Sequence, residues 1–440
     1  MRPLLAGLIA ATAALAANAN KVNGPVTFNK DVLPVLQKNC QSCHRPGEAA
    51  PMSFITYRST RPWAKAIKEA VRSKRMPPWF ADPSHGKWAN DRTLSDADKA
   101  TLTSWADSGA AEGSPKDAPM PVKFVDGWNI GTPDMLLEMP VDYEVPADGT
   151  IEYTYFVIPT GFTEDKWVQL SEIRPGNRQV VHHVIAFIRP PNSKWLADAK
   201  VGEAFVPKKA QSDGAGGQRR DEGGMGGNEW LTGYAPGTIP DVLKPGQGRL
   251  IKAGSDIVLQ MHYTTNGKAA IDRTKVGIIF AKEPPKERVF TLAVTTNKFA
   301  IPANAASHRV DASLTIQADT KMVSLLPHMH LRGKSFEYRA VYPTGETQVL
   351  LSVPRYDFNW QLSYLPEKPI MLPKGTKLEA TAHYDNSANN PANPNPNIEV
   401  RYGDQSWEEM MFGFFEVVVD PNSNPFDVVR PPRQPQRSGD

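Results

Sequence analysis

From about residue 118 to about residue 420 the chain keeps one rhythm. Short apolar or alternating runs recur, among them TYFVIPT, QVVHHVIAFI, SDIVLQMHYTT, KVGIIFA, MVSLLPHMHL, KLEATAHYDN and FGFFEVVV, and Pro, Gly and Asn separate them. A period of two buries one face of a strand and leaves the other to solvent, while the punctuating residues break any helix. Runs of this length and spacing imply antiparallel β-sandwiches. Roughly 300 residues of such pattern exceed one sandwich, so two in tandem are expected, at 118–285 and 286–420. The break falls in AKEPPKER, residues 281–288. The chain has 440 residues, 40 of them proline and 32 glycine, and its 40% hydrophobic share supplies real cores. Fifty Lys and Arg against 47 Asp and Glu give no electrostatic case for a nucleic-acid partner. Residues 421–440 are read as a disordered tail.

The N-terminus, MRPLLAGLIAATAALAANAN, places one Arg before an apolar run from Leu4 to about Ala17, followed by Ala17-Asn18-Ala19. This is the pattern of a secretory signal peptide, residues 1–19, and it is short for a membrane span. No other segment is apolar enough to cross a bilayer, so an exported protein, periplasmic or secreted, with no stable membrane insertion is expected. The only cysteines are Cys40 and Cys43. An exported chain of this size with no others has no disulfide framework beyond a bridge between these two.

Cys40-Gln41-Ser42-Cys43-His44 has the C-x-x-C-H spacing of c-type haem attachment. Two thiols bond the porphyrin and the adjacent His supplies an axial ligand. A zinc half-site needs two further ligands nearby, and a redox dithiol has no use for His44. The preceding FNKDVLPVLQKNC reads as a helix capped by Asn29, with Val32, Leu36 and Cys40 on one edge. RPWAKAIKEAVRSKRMPPWF reads as a second helix with Trp63, Ile67 and Val71 on one face. It stops before Pro77 and leaves Met76 as the sixth haem ligand, with Met52 and His85 as alternatives. LSDADKATLTSWADSG closes the module, with Ser95 as cap, Asp98 completing a capping-box-like pair and Gly109 ending the helix. Residues 25–117 resemble a class I cytochrome c domain, and EGSPKDAPMP follows as a linker. Such a module implies one covalently bound haem c and an electron-transfer role.

Five of the nine histidines lie in three runs of the β region: His182 and His183 in VVHHVIAF, His262 in LQMHYT, His328 and His330 in PHMHLRGK. On a strand, His328 and His330 share a face while Met329 points away. His182 and His183 point to opposite faces unless the strand bulges there. Met410, in SWEEMMFGFFEV, offers a thioether, a soft ligand suited to copper; it is also an ordinary core residue type. His383, in TAHYDNSANN, is a further candidate near the second site or a structural residue. The insertion SDGAGGQRRDEGGMGG, residues 212–227, reads as a mobile loop.

Taken in order, HH, QxHY, HxH and EEM resemble the copper type II, ascorbate-dependent monooxygenases, the family of peptidylglycine α-hydroxylating monooxygenase and dopamine β-hydroxylase. The resemblance covers about 300 residues, from the first run to the last. It implies two jelly-roll-like β-sandwiches with one copper each, facing across an open cleft. It implies an electron-transfer copper held by His182, His183 and His262. It implies a second copper, held by His328, His330 and Met410, that activates O2. The expected enzyme is a dicopper monooxygenase that hydroxylates a C–H bond of a small organic or peptide substrate, with electrons from ascorbate or a periplasmic donor relayed through the haem. A non-catalytic haem and copper electron carrier is the rival. Animal members of the family are rich in disulfides; this chain has no cysteine left for any, and Met411 stands where they tend to have Cys.

Overall fold

The computed structural model describes residues 25–48, 50–125, 127–207 and 229–430. The expected signal peptide, the Gly-rich insertion and the last ten residues of the expected tail lie outside them. The chain is mainly β, with several antiparallel sheets and a few short helices. No helix among the described residues is long and apolar enough to cross a membrane.

The N-terminal unit is helical. A wide helical turn, Phe28–Val32, leads into α1, Leu33–Asn39; α2 is Tyr57–Thr60, α3 Ala64–Arg72 and α4 Asp96–Asp107. Their core comprises Phe28, Val32, Leu36, Phe54, Ile67, Val71, Leu102 and Trp105. Each such side chain, fully buried, contributes about 1.5–3 kcal/mol relative to exposure. Two expectations need correction. Asn29 is not a cap: it lies buried inside the first turn, with its amide toward the Gly113 carbonyl at 3.4 Å, while Thr27 precedes the turn. Trp63 is 40% exposed, and Ala64, Ile67 and Val71 form the buried face of α3. Ser95 does cap α4, its hydroxyl accepting from the Asp98 amide at 3.0 Å, and Gly109 follows the helix with φ +93°.

The β region builds two cores that share one sheet. In the first, a four-stranded sheet runs in the order Thr154–Pro159, Asp256–Tyr263, Val181–Arg189, Glu229–Tyr234. It packs Phe156, Val184, Ala186, Leu231 and Leu259 against Val168, Ile173, Val276 and Ile278. In the second, His308–Thr315, Lys377–Tyr384, Gly333–Val341 and Thr347–Val353 form another four-stranded sheet. Its Phe336, Tyr338, Ala380 and Ala382 meet Leu292, Leu325, Phe415 and Val417. The opposing layer of both cores is a single nine-stranded sheet. It is continuous because Glu287–Thr295 pairs in parallel with Gln247–Ile251, Glu287 opposite Gln247 and Arg288 opposite Gly248. Buried ion pairs cross the junction, Arg249 with Glu416 and Arg288 with Glu229.

The helical unit is docked against the β region. Trp79, Phe80 and Trp88, expected within the haem module, join the second β core instead. Trp79 and Trp88 lie 4.8 and 5.6 Å from the Tyr364 ring, and the Asp82 amide donates to the Ser352 carbonyl at 2.8 Å. On the other side, Glu48 pairs with Arg178 of the first β unit.

Candidate metal centre

The strand Val181–Arg189 carries an irregularity at the histidine pair. Val181 stands opposite Tyr263 and His183 opposite His262, so His182 is an extra residue with no ladder partner. A bulge of this kind re-aims one side chain, here His182, toward the face its neighbour occupies. The result is a convergent trio. His183 Nδ1 lies 3.1 Å from His182 Nδ1 and 3.2 Å from His262 Nδ1. One nitrogen from each of the three lies within 4.8 Å of the others, the one such metal-binding group among the described residues. Two imidazole nitrogens bound at about 2.0–2.1 Å to one ion stand roughly 3–3.5 Å apart, which matches these separations. His262 Nε2 faces the Ser406 hydroxyl at 3.2 Å.

The second group forms where Thr320–His328 ends. Met329 points into the second core, as the alternation requires, and the His328 and His330 rings are 5.2 Å apart. Their outer nitrogens are held. His328 Nδ1 lies 2.9 Å from Gln361 Oε1, while the Gln361 amide donates to the Phe358 carbonyl at 2.8 Å. Gln361 therefore accepts from His328, and Nε2 keeps its lone pair. His330 Nδ1 faces the Glu408 carbonyl at 3.3 Å, and its buried Nε2 has no hydrogen-bond partner. Glu409 fixes the turn, accepting from the amides of His330 at 3.0 Å and Arg332 at 2.6 Å. Outer bonds of this kind set the tautomer and aim of a metal-binding imidazole.

Burial pushes His182 down to about 4 and holds His183, His262, His328 and His330 below the usual imidazole range. All five are neutral at neutral pH, with lone pairs available to an ion. Met410 packs with Leu326, Phe412 and Phe414, on the face where His328 pairs with Phe412. Met411 is fully buried in the opposite core. His383 lies apart, in the far four-stranded sheet, between the core residues Ala382 and Tyr384 and bonded to the Ser335 hydroxyl at 3.2 Å.

The two groups do not face each other across an open cleft. The His183 and His328 rings are 6.5 Å apart. A cavity of about 530 Å³ reaches both from between the three units, walled by Trp79, Trp230, Phe414 and Arg92.

In the helical unit, Cys40 and Cys43 are free thiols in the turn after α1. Burial, with Cys43 adding, pushes the Cys40 thiol up to about 12, the reverse of what a redox dithiol needs. The His44 ring stacks on Phe54 at 4.2 Å, and its buried Nδ1 has no partner. Met52 packs on the same core as Cys40. Met76 lies in the turn beyond α3, its amide bonded to the Ala70 carbonyl at 3.2 Å. His85 sits in the loop docked on the second β unit.

Sequence reasoning missed Tyr153, Phe358, Gln361 and Ser406, which touch these imidazoles from distant loops and carry no motif. No protein-family model matches the chain, and no curated protein matches it. Among solved structures it is similar to infectious bursal disease virus Gx strain, at 10% identity and TM-score 0.17 over 70% of this chain and 77% of that one. The VP2 subviral particle of the same virus aligns at 9% identity and TM-score 0.19, over 67% and 74%. Likeness at that level carries no argument about the site.

Proposed function

We propose that this chain is an exported dicopper monooxygenase of the copper type II, ascorbate-dependent class, fused to a cytochrome c-like haem unit. It converts a C–H bond of an organic or peptide substrate to C–OH. One atom of O2 enters the product and the other leaves as water, with two electrons and two protons supplied. The observation that carries the reading is the convergence of five neutral imidazoles, four buried and His182 half-buried, in the two groups that the motif order implies.

His182, His183 and His262 would hold one copper through Nδ1; His328 and His330 would hold the other through Nε2, with the Met410 thioether as third ligand. Copper in such nitrogen and sulfur sites supplies one-electron chemistry and O2 activation. The protein's own part is orientation and exclusion. Gln361 and the Glu408 carbonyl keep protons on the outer nitrogens, and Trp79, Trp230 and Phe414 in the cavity wall would limit the water beside a bound substrate. Cys40 and Cys43 would bond haem c and His44 would bind its iron. Electrons would come from ascorbate or a periplasmic donor.

Metal analysis and isotope labelling test the reading. The purified protein should hold two copper ions and one haem iron. With 18O2, a reductant and an extract of candidate substrates, it should yield a singly labelled hydroxylated product. Metals in that ratio without oxygen uptake identify the electron carrier instead. For the sixth iron ligand, loss of the ferric sulfur-to-iron absorption band in Met76→Ala but not Met52→Ala assigns Met76; the converse assigns Met52.

A further inference from the structure

We infer that the two imidazole groups form one dinuclear centre, clamped by the rings of Phe358 and Tyr153. The inference rests on the copper reading above and departs from the separated, cleft-facing sites that the family resemblance implies.

Phe358 stacks on His182 at 5.0 Å with an interplanar angle of 16°. The same ring lies 6.0 Å from His262 and 6.2 Å from His330, so one phenyl touches both groups. Tyr153 does likewise from the other unit, at 4.9 Å from His262, 5.5 Å from His183 and 6.3 Å from His330. Contacts of 4.5–7 Å between ring centroids are the normal range for favourable aromatic pairs. His183, His262, His328 and His330 are each at most 8% exposed, so both groups lie inside the protein and not on its surface.

The clamp is anchored on both sides. Phe358 belongs to the segment that also presents Gln361 to His328, and the Gln361 amide donates to the Phe358 carbonyl at 2.8 Å. The Tyr153 amide donates to Gln405 Oε1 at 3.1 Å, beside the Ser406 that faces His262. Each ring therefore ties an imidazole of one β unit to a loop of the other. Opening the groups into a cleft would expose these rings and break the Tyr153–Gln405 and Ser406–His262 contacts that cross between the two units. Two ions held by rings this close share exchange and dipolar coupling, which falls steeply with separation. Phe358 and Tyr153 are positioning residues in this scheme: they touch ligands and not the ions.

The test is electron paramagnetic resonance on full-length protein loaded with Cu(II), after metal analysis has counted the copper. Wild type should show integrated spin well below its copper content, or a half-field transition. Phe358→Ala should restore two isolated Cu(II) signals that account for all the copper, whereas Phe358→Leu, which keeps most of the volume, should remain coupled. If Phe358→Ala fails to fold, Tyr153→Leu against Tyr153→Phe makes the same comparison from the other unit. Wild type with two coppers and two isolated signals overturns the inference, as do ring-deleting variants that keep both copper and coupling. Fewer than two coppers per chain fails the functional reading itself, and metal analysis recognises that before any spectrum is taken.

Discussion

The two imidazole groups are assembled by different means. His183 and His262 face each other across a ladder, and a bulge brings His182 to join them, so backbone register sets the trio. Their Nδ1 atoms point at one another, and His262 has an outer contact to the Ser406 hydroxyl. His328 and His330 come from a strand end and the residues beyond it, where register does not reach. Side-chain and carbonyl acceptors aim them, with Gln361 on one and the Glu408 carbonyl on the other. A register-built site tolerates the loss of an outer hydrogen bond and fails on loss of a ligand. A site built from aimed side chains depends on its acceptors.

That contrast can be broken at His183, which stands between the other two members of the trio. His183→Ala should cost about one equivalent of copper and abolish turnover. His262→Ala should also lower the copper count but leave His182 and His183 paired, and so bind the residual ion more tightly than the His183 variant. Equal losses from the two, measured by copper titration, would dissolve the distinction.

The adjacent methionines sharpen it next. Met411→Ala opens a hole in the second core and should cost about 2–5 kcal/mol of stability in denaturant unfolding. Met410→Leu keeps shape and should cost under about 1.5 kcal/mol while abolishing turnover. Turnover at the wild-type rate in Met410→Leu would return Met410 to packing alone.

Gln361→Leu removes the acceptor from His328 and should weaken copper at the second group roughly 10–100-fold, with the first group unchanged. Ser406→Ala, the matching change at the first group, should cost about 1 kcal/mol, near fivefold in affinity. If the serine change proves the larger in a competition titration, the first group is not set by register.

Much was legible from the chain alone. Alternation and punctuation determined a mainly β architecture, because period two and broken helical propensity are local properties. The HxH spacing anticipated His328 and His330 on one side with Met329 in the core, although the strand ends at His328 and the turn held by Glu409 places the other two. The HH pair stated its own condition, a bulge, and Ser95 announced the start of α4. Tertiary structure alone decided the rest. A parallel pairing of Gln247–Ile251 with Glu287–Thr295 fused two units through one sheet, a contact that no local pattern encodes. Trp79, Phe80 and Trp88 left the helical unit for the second core because burial is settled by whichever apolar surface lies nearest in space. The proximity of the two histidine groups is of the same kind. Phe358 lies 28 residues from the nearest histidine before it, His330, and Tyr153 lies 29 residues before His182; only the fold brings those rings between the imidazoles.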